Sequence, residues 1–344
     1  MHNKPVLSIV TPTLGKFSDY WLEQLLKVQG AVEFVMVYPP NNRIRPIEDS
    51  RVKLITSPFK GEMMQRFVAL LNASGDYVLA LDDDDLVHPD VVDLTVQYFN
   101  RFPESWILRL KKAVIDFREE ARIYQNWAPT PDINSLNVDR KTPENPYPYQ
   151  QGQFTGLLEV PISPLDKPLN LKLLLWPLTE RTDNEGYHFE NFNNVVWRNT
   201  LVQQALPDLA QGSKLLGPLT WIPFSGFDRL MGLFVQAKFF QKDLTIGHWL
   251  PGAEQIRYID KPAVLKPPRF HVVTDVLLVK TFPQYGYLWN LFISKLYGVP
   301  RTAAKALRWR FRKPSIDDLV PIPEPMTSRL ASPAPPLSEG QREG

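Results

Sequence analysis

The chain has 344 residues, of which 44% are hydrophobic and 22% charged, and this is the make-up of a folded protein with a sizeable core. The formal net charge of +2 is close to balance, so the overall charge does not indicate nucleic acid as a partner. The lack of cysteine excludes disulfides, thiolate nucleophiles and thiolate-bound zinc. No signal-peptide pattern opens the chain and no apolar run reaches the roughly 18 residues of a membrane span, so we expect a cytoplasmic protein with at most peripheral membrane contact.

The first hundred residues alternate strand and helix patterns. Short β-branched or apolar runs predict four buried strands, at 6–10, 32–38, 52–55 and 77–81. Apolar residues at helical spacing predict helices at 20–28 and 61–73, and a third from about residue 89. Strands joined by helices imply right-handed crossovers. The predicted fold class is α/β, with a Rossmann-like, mostly parallel central sheet flanked by helices.

Three polar loops follow strands of this predicted sheet, at 11–13, 38–40 and 82–85. Because ligands bind beyond the carboxyl ends of parallel strands, all three loops are expected at one crevice. The third loop is a run of four aspartates, Asp82 to Asp85, whose like charges need a cation or hydrogen-bond donors nearby. On the run alone, a metal site competes with a solvated acidic turn that caps the following helix.

The glycine-rich fingerprints of dinucleotide-binding folds and P-loops are missing from the sequence, so a nucleotide here would have its phosphates held by a metal. Mg²⁺ or Mn²⁺ suits this purpose, because these ions bind one or two carboxylates and complete their coordination with water and diphosphate oxygens. A calcium-binding EF-hand loop starting at Asp82 is disfavoured, because Val87 stands where glycine is required.

Three segments in this order resemble family 2 glycosyltransferases of the GT-A fold. The first two are Ser8-Ile9-Val10-Thr11-Pro12-Thr13, and Arg66 followed by Ala73-Ser74-Gly75-Asp76-Tyr77. The third is the acidic run with its trailing Leu86-Val87-His88-Pro89. The resemblance covers roughly residues 5 to 100, and it implies a GT-A type fold and a nucleotide-sugar donor. A nucleotidyltransferase would share the metal and the crevice, but two later segments favour glycosyl transfer.

The resemblance assigns roles to residues at the three loops. It implies that Asp82 contacts the ribose or the metal shell and that Asp84 coordinates the metal, with Asp83 in support. It places Arg66 near the nucleotide. Two further residues, Thr11 and Pro12, are expected to line the base pocket.

The second strand departs from the family pattern at its end. Family members usually carry an aspartate there that reads the base, whereas this chain has Tyr38-Pro39-Pro40. Tyr38 is expected to stack on a base, or else to be a partly buried aromatic at the strand end.

The two later segments carry the expected catalytic residues. In the family an acidic pair opens a helix and supplies the general base, and here Asp228 is the acid available for that role. Asp228 is therefore the expected base, or else a helix N-terminal carboxylate stabilised by the helix dipole. His271, in a segment similar to the family's Tyr-Arg-x-His ending, is the expected histidine ligand of the metal, with His248 as a competitor.

The remaining regions differ from one another in amino-acid composition. Residues 128–192 are proline-rich and predict an irregular insertion. We predict a C-terminal helical extension at 276–313, where basic residues alternate with aromatics. This pattern is typical of a helix that lies on an anionic membrane, and also of a helix packed on the domain with a solvated basic side. Residues 314–344 predict a disordered tail.

We therefore predict five regions. They are a nucleotide-sugar-binding half at 1–127, the insertion at 128–192, an acceptor-side half at 193–275, the basic helices at 276–313 and the tail. The predicted activity is metal-dependent, inverting transfer of a sugar, with a UDP-sugar as the first choice of donor, to a saccharide, lipid-linked or protein acceptor. The alternative is a GT-A-like domain that has lost catalysis and binds or scaffolds. Location is predicted as cytoplasmic or peripheral at the inner face of the membrane, through 276–313.

Overall fold

A computed structural model describes residues 4–140, 154–175, 191–214, 226–260 and 270–311. The helices of these residues are α1 Asp19–Leu26, α2 Glu62–Leu71, α3 Val91–Arg101, α4 Glu120–Ile123, α5 Asn199–Ser213, α6 Phe227–Lys238, α7 His271–Thr281, α8 Gly286–Leu296 and α9 Val299–Phe311. The strands are β1 Leu7–Pro12, β2 Val32–Tyr38, β3 Val52–Thr56, β4 Tyr77–Ala80, β5 Asp85–Val87, β6 Ile107–Arg109, β7 Lys112–Asp116, β8 Val138–Asp139, β9 Leu157–Pro161, β10 Val195–Arg198, β11 Thr245–Trp249 and β12 Ile256–Asp260.

The predicted mostly parallel central sheet is confirmed. In the described residues it has nine strands in the order β3-β2-β1-β4-β10-β6-β11-β9-β8. The first four strands are mutually parallel, and β10 is antiparallel to both of its neighbours. Strand β6 therefore runs in the same direction as β4, and β11 is parallel to β6. The carboxyl ends of β1, β2, β4, β6 and β11 all meet at one edge, which we call the carboxyl edge.

A second sheet lies beside this edge. It has the order β5-β12-β7, and β5 begins at the last residue of the acidic run, Asp85. Tyr258 of β12 lies opposite Asp85 in the antiparallel pair. The acidic run is therefore the connection between the two sheets rather than a free surface turn.

Helices cover both faces of the central sheet, as the fold class predicts. On one face, α1 and α3 pack into a core that contains Trp21 and Tyr98. On the other face, α2, α5, α6, α7 and α8 build a second core, with Trp197 of β10 fully buried in it. Helix α1 begins where predicted because the Ser18 hydroxyl accepts a hydrogen bond of 3.1 Å from the Trp21 amide, as an N-cap residue does.

The boundary between the domain and the C-terminal helical extension differs from the predicted one. Helices α7 and α8 are part of the second core, through residues such as Leu278 and Leu291. Helix α9 is largely exposed. The predicted boundary at 275/276 lies inside α7, so only α9 fits the description of an extension. The predicted tail at 314–344 lies outside the described residues.

The proline-rich insertion is more ordered than its composition predicts. Strand β9 pairs with β11 and so belongs to the central sheet, and β8 pairs with β9. The prediction of an irregular segment is therefore wrong for Leu157–Pro161. Residues 141–153 and 176–190 of this insertion lie outside the described residues. No helix among the described residues is both long enough and apolar enough to cross a membrane.

Candidate active site

The three predicted loops lie together at the carboxyl edge, as expected. The Thr13 amide donates to the Val37 carbonyl (3.0 Å), and the Leu81 amide donates to the Val10 carbonyl (3.0 Å). The buried amide of Gln65 donates to both the Thr13 and the Val37 carbonyls, at 3.0 and 2.6 Å. Gln65 therefore ties the end of β1 to the end of β2 from helix α2.

Arg66 is the centre of the site. Its side chain is 2% exposed, yet the guanidinium contacts three carboxylates from separate parts of the chain. It bonds to Glu62 one turn earlier in α2 (Nε to Oε1, 3.0 Å) and forms a short ion pair with Asp82. Its Nη1 lies 3.5 Å from Oδ1 of Asp228. Arg66 thus links the acidic run to the residue predicted as the base.

The electrostatics keep this guanidinium charged. Burial alone would lower the pKa of Arg66, but the negative charges of Asp228, Asp82 and Glu62 outweigh it and raise the pKa above its ordinary value. The two aspartates retain about a third of their side-chain exposure, at 31% for Asp82 and 30% for Asp228. The carboxylates therefore face the crevice, while the cation that holds them is enclosed.

Asn193 completes this cluster and was not predicted. Its side-chain amide donates to Asp82 Oδ2 (3.0 Å), and its oxygen accepts from Arg66 Nη1 (3.1 Å). Asn194 beside it has φ 61° and donates its backbone amide to the Ala80 carbonyl (3.0 Å), a turn that brings Asn193 to the end of β4. The available signal was the Asn193-Asn194 pair directly before a strand.

The other aspartates of the run have separate environments. Asp83 accepts a hydrogen bond of 2.6 Å from the Thr13 hydroxyl, which joins the first loop to the third. Asp85 is 1% exposed, and burial, followed by the charges of Asp82 and Asp84, raises its pKa well above the ordinary value. Burial, followed by the charges of Asp84 and Asp85, also raises the pKa of Tyr258. Asp82, Asp84 and Asp85 therefore lie within electrostatic reach of one another.

These residues fit a divalent ion whose coordination shell is completed by water and a bound diphosphate. Among the described residues, no three acidic, histidine or cysteine side chains converge as a ready-made metal site. Both oxygens of Asp82 are already engaged, by Arg66 and Asn193. A hard cation at Asp84 would therefore take its remaining ligands from water and diphosphate oxygens, which is common for Mg²⁺.

Asp228 reaches this cluster from helix α6 of the second core, and His271 lies near the start of that helix. Asp228 lies in the first turn of α6, as predicted. A Cβ atom added to Gly226, at the start of α6, would lie 3.1 Å from Nδ1 of His271, the first residue of α7. Glycine at this position therefore allows His271 to lie against the helix end that carries Asp228.

The expected base pocket is corrected in two of its three residues. Tyr38 is fully buried and Thr11 is 1% exposed, so the Tyr38 ring has no face available to stack on a base. The enclosing residue is Gly15, which has φ 78° and approaches so closely that an added Cβ would lie 2.9 Å from the Tyr38 ring. Pro12 is the one of the three that is partly exposed.

His248, the competing metal ligand, lies elsewhere. Its Nδ1 is 2.8 Å from the Tyr98 hydroxyl, and its ring packs on Phe102, inside the first core. It is 5% exposed, and burial, followed by the positive charge of Arg101, lowers its pKa from 6.5 to about 4. A neutral ring held by a core tyrosine is a structural residue.

This placement of His248 predicts an acid-dependent loss of stability. Because its pKa is lower in the folded chain, the stabilisation is fully present above pH 6.5 and is lost as the pH falls toward about 4. The loss should reach about 3 kcal/mol. Urea unfolding gives the free energy of unfolding across this pH range. It should fall by about 3 kcal/mol less in a His248→Gln variant than in the wild type. Equal losses in the two proteins would contradict the assignment.

Two further residues extend the carboxyl edge. Arg109 ends β6 opposite Val195 of β10, and its guanidinium lies 3.9 Å from the ring centroid of Trp249, which ends β11. Val195 is two residues beyond Asn193, so this pair continues the edge away from the acidic run. Neither residue had a recognisable sequence signal beyond its position at the end of a short apolar run.

A family match covers the acidic part of this site. Residues 40–156, about a third of the chain, match the profile described as glycosyl transferase family 2. This segment is similar to glycosyl transferase family 2. It contains Arg66 and the acidic run, whereas Asp228, Asn193 and His271 lie outside it. The resemblance predicted from the motifs is confirmed over the segment.

Solved structures with a similar arrangement were also found. TarS 1–349 from S. aureus in complex with UDP is 14% identical with a TM-score of 0.45, and the match covers 80% of this chain and 64% of that chain. The same protein in complex with UDP-GlcNAc is 15% identical with a TM-score of 0.44, and 79% and 66% are covered. The mannosyltransferase PcManGT from Pyrobaculum calidifontis, in complex with GDP-Man and Mn²⁺, is 13% identical with a TM-score of 0.38, and 92% and 77% are covered.

This chain spans less than two thirds of the TarS fragments. No curated protein sequence matches the chain.

Proposed function

We propose that this chain is a glycosyltransferase that moves a sugar from a nucleoside diphosphate donor to an acceptor hydroxyl. The observation that carries the proposal is Arg66, a buried cation that holds Asp82 of the acidic run and Asp228 of α6 at one crevice. The family 2 match over residues 40–156 supplies the reaction class. A UDP-sugar is the first donor to test.

The donor half of the site is built from the acidic run. Asp84 is the carboxylate that would hold Mn²⁺ or Mg²⁺, with His271 as the proposed histidine ligand, and the bound metal would offset the charge that grows on the departing diphosphate. Asp82, oriented by Arg66 and Asn193, is placed for the ribose or a metal-bound water. Pro12 and Asp83 remain proposed donor-binding residues.

The acceptor half supplies the base. An acceptor hydroxyl must lose its proton as its oxygen attacks the anomeric carbon, and the partly exposed carboxylate of Asp228 is proposed to take that proton. The Arg66 guanidinium, 3.5 Å away, holds this carboxylate at the crevice. The bond from the anomeric carbon to the diphosphate breaks as the new bond forms on the opposite face, so one displacement inverts the anomeric configuration. The acceptor is proposed to be a saccharide, a lipid-linked sugar or a protein.

The donor proposal is tested by calorimetry with a panel of nucleoside diphosphates, with and without Mn²⁺. At least one of them should bind, and binding should depend on the metal. An Asp84→Ala variant should lose affinity by about a hundredfold or more, because even groups behind a metal ligand contribute tenfold to a hundredfold.

The matched control is Asp93→Ala, which removes an exposed aspartate of α3 that bonds to Gln97. This variant should bind like the wild type. If no nucleotide binds, or if binding needs neither the metal nor Asp84, the chain is a non-catalytic binding or scaffolding domain.

A further inference from the structure

Exposed large apolar side chains concentrate in two segments far from the active site in sequence. Eight of the fourteen such residues in the described chain lie in 169–175 and 296–311. The most exposed are Leu175 at 84%, Phe311 at 82%, Leu307 at 63% and Leu171 at 62%. Exposed apolar groups that cluster in this way mark a surface that binds a protein, a membrane or a ligand.

Helix α8 brings the two segments together. At its first turn, a Cβ on Gly286 would lie 2.4 Å from the Leu169 amide nitrogen, so the chain at 167–169 lies directly against the helix. In its middle, Asn290 accepts from the Asn170 amide at 2.7 Å. At its end, the Tyr297 hydroxyl donates to the Leu174 carbonyl at 2.6 Å. The exposed leucines at 174 and 175 therefore lie where the chain passes from α8 into α9.

Helix α9 carries its exposed apolar residues on one stripe. Ala303, Leu307 and Phe311 are spaced four residues apart and are all exposed. Residues at this spacing share a helix face. The less exposed residues, Val299, Thr302 and Ala306, lie on another face of the helix.

A basic stripe runs beside the apolar one. Arg301, Lys305 and Arg308 are exposed and follow the spacing of a single face, turned about 125° from the apolar stripe. No acidic residue occurs from 276 to 316. An apolar stripe flanked by cations is the pattern of a helix that lies in a membrane interface, with its apolar face among the acyl chains and its cations among anionic headgroups.

We propose that α9 and the leucines at 171, 174 and 175 form one docking surface, and that its occupant is an anionic lipid bilayer. A bilayer complements both stripes at once. A second copy of this chain, seated symmetrically, would bring basic stripes together without acidic partners. The surface is separate from the proposed glycosyl transfer site, so its test does not depend on that activity.

The test is co-sedimentation of the full chain with vesicles. Vesicles of phosphatidylcholine mixed with phosphatidylglycerol should bind the chain, vesicles of phosphatidylcholine alone should bind it much more weakly, and high salt should reduce the binding. Replacing Arg301, Lys305 and Arg308 by Gln should lower the partition coefficient by about a hundredfold, since each near-surface cation contributes about fivefold. The double variant Leu307→Ser, Phe311→Ser should have a similar effect.

The matched control removes three other exposed cations, Lys4, Arg118 and Arg122, by substitution with Gln. It changes the net charge equally and should bind like the wild type. All of the replaced side chains are exposed, so thermal unfolding should be unchanged in every variant.

Four results would overturn the proposal. The first three are an absence of binding to the anionic vesicles, binding that the α9 variants leave unchanged, and equal loss of binding in the control. A fourth is self-association, measured by sedimentation equilibrium, that Leu307→Ser, Phe311→Ser abolishes, because the surface would then belong to a second copy of the chain.

Discussion

An Asp228→Asn variant should lose donor turnover by a factor of about 100 to 10,000, the range that a general base contributes, while it still binds the nucleotide. The amide has nearly the shape of the carboxylate but cannot take the acceptor proton. Because the acceptor is unidentified, water serves in its place. The measurement is release of nucleoside diphosphate from a nucleotide sugar by slow hydrolysis, with calorimetry to confirm that the donor binds.

The control for this variant is Glu62→Gln. Glu62 is also a carboxylate partner of Arg66, but it lies one helical turn back in α2 and is 48% exposed. Both substitutions remove a negatively charged partner of the Arg66 guanidinium, whereas only Asp228→Asn removes the proposed base. If the two variants lose turnover equally, the effect comes through Arg66. If Asp228→Asn keeps full turnover, Asp228 is not the base.

An Arg66→Met variant should be less stable by about 3 kcal/mol, the cost of breaking a buried ion pair by removing one partner. Methionine fills much of the same space but leaves the carboxylates of Asp82 and Asp228 facing each other without the cation. The partial exposure of these two aspartates places the expected loss at the lower end of the range. Denaturant unfolding at neutral pH gives the free energy of unfolding for each variant.

Arg118→Met is the comparison for this variant. Arg118 also pairs with an aspartate, Asp116, but its side chain is 80% exposed and the pair lies outside the site. Removing an ion pair this exposed should leave the free energy of unfolding almost unchanged. Equal free energies of unfolding for the wild type and Arg66→Met would show that the guanidinium does not hold the carboxylates together.

The alternating pattern of strands and helices in the first hundred residues predicted the carboxyl edge correctly. Local signals suffice there, because β-branched runs define the strands and the parallel order follows from the helical connections. The position of the acidic run beyond β4 was therefore predictable. Its two-sheet environment was not, since Asp85 pairs with Tyr258 of a strand some 170 residues later in the chain.

The contacts of Arg66 show what sequence reasoning could not supply. Its bond to Glu62 follows from helical spacing, but Asn193 is 127 residues away and Asp228 lies on another helix. Which side chains meet across such distances depends on how α2 and α6 pack on the sheet. Tyr38 is a similar case, because a strand-end tyrosine is equally compatible with an exposed ring, and the loop through Gly15 decides that it is buried.

The most direct test of the site is anomalous diffraction from crystals of the chain soaked with Mn²⁺ and a nucleoside diphosphate that binds. A manganese peak beside the Asp84 carboxylate, shared with the diphosphate and flanked by Asp82 and Arg66, is the result expected. A nucleotide bound away from the carboxyl edge, or bound there with the manganese in contact with neither Asp84 nor the diphosphate, would contradict the proposed site.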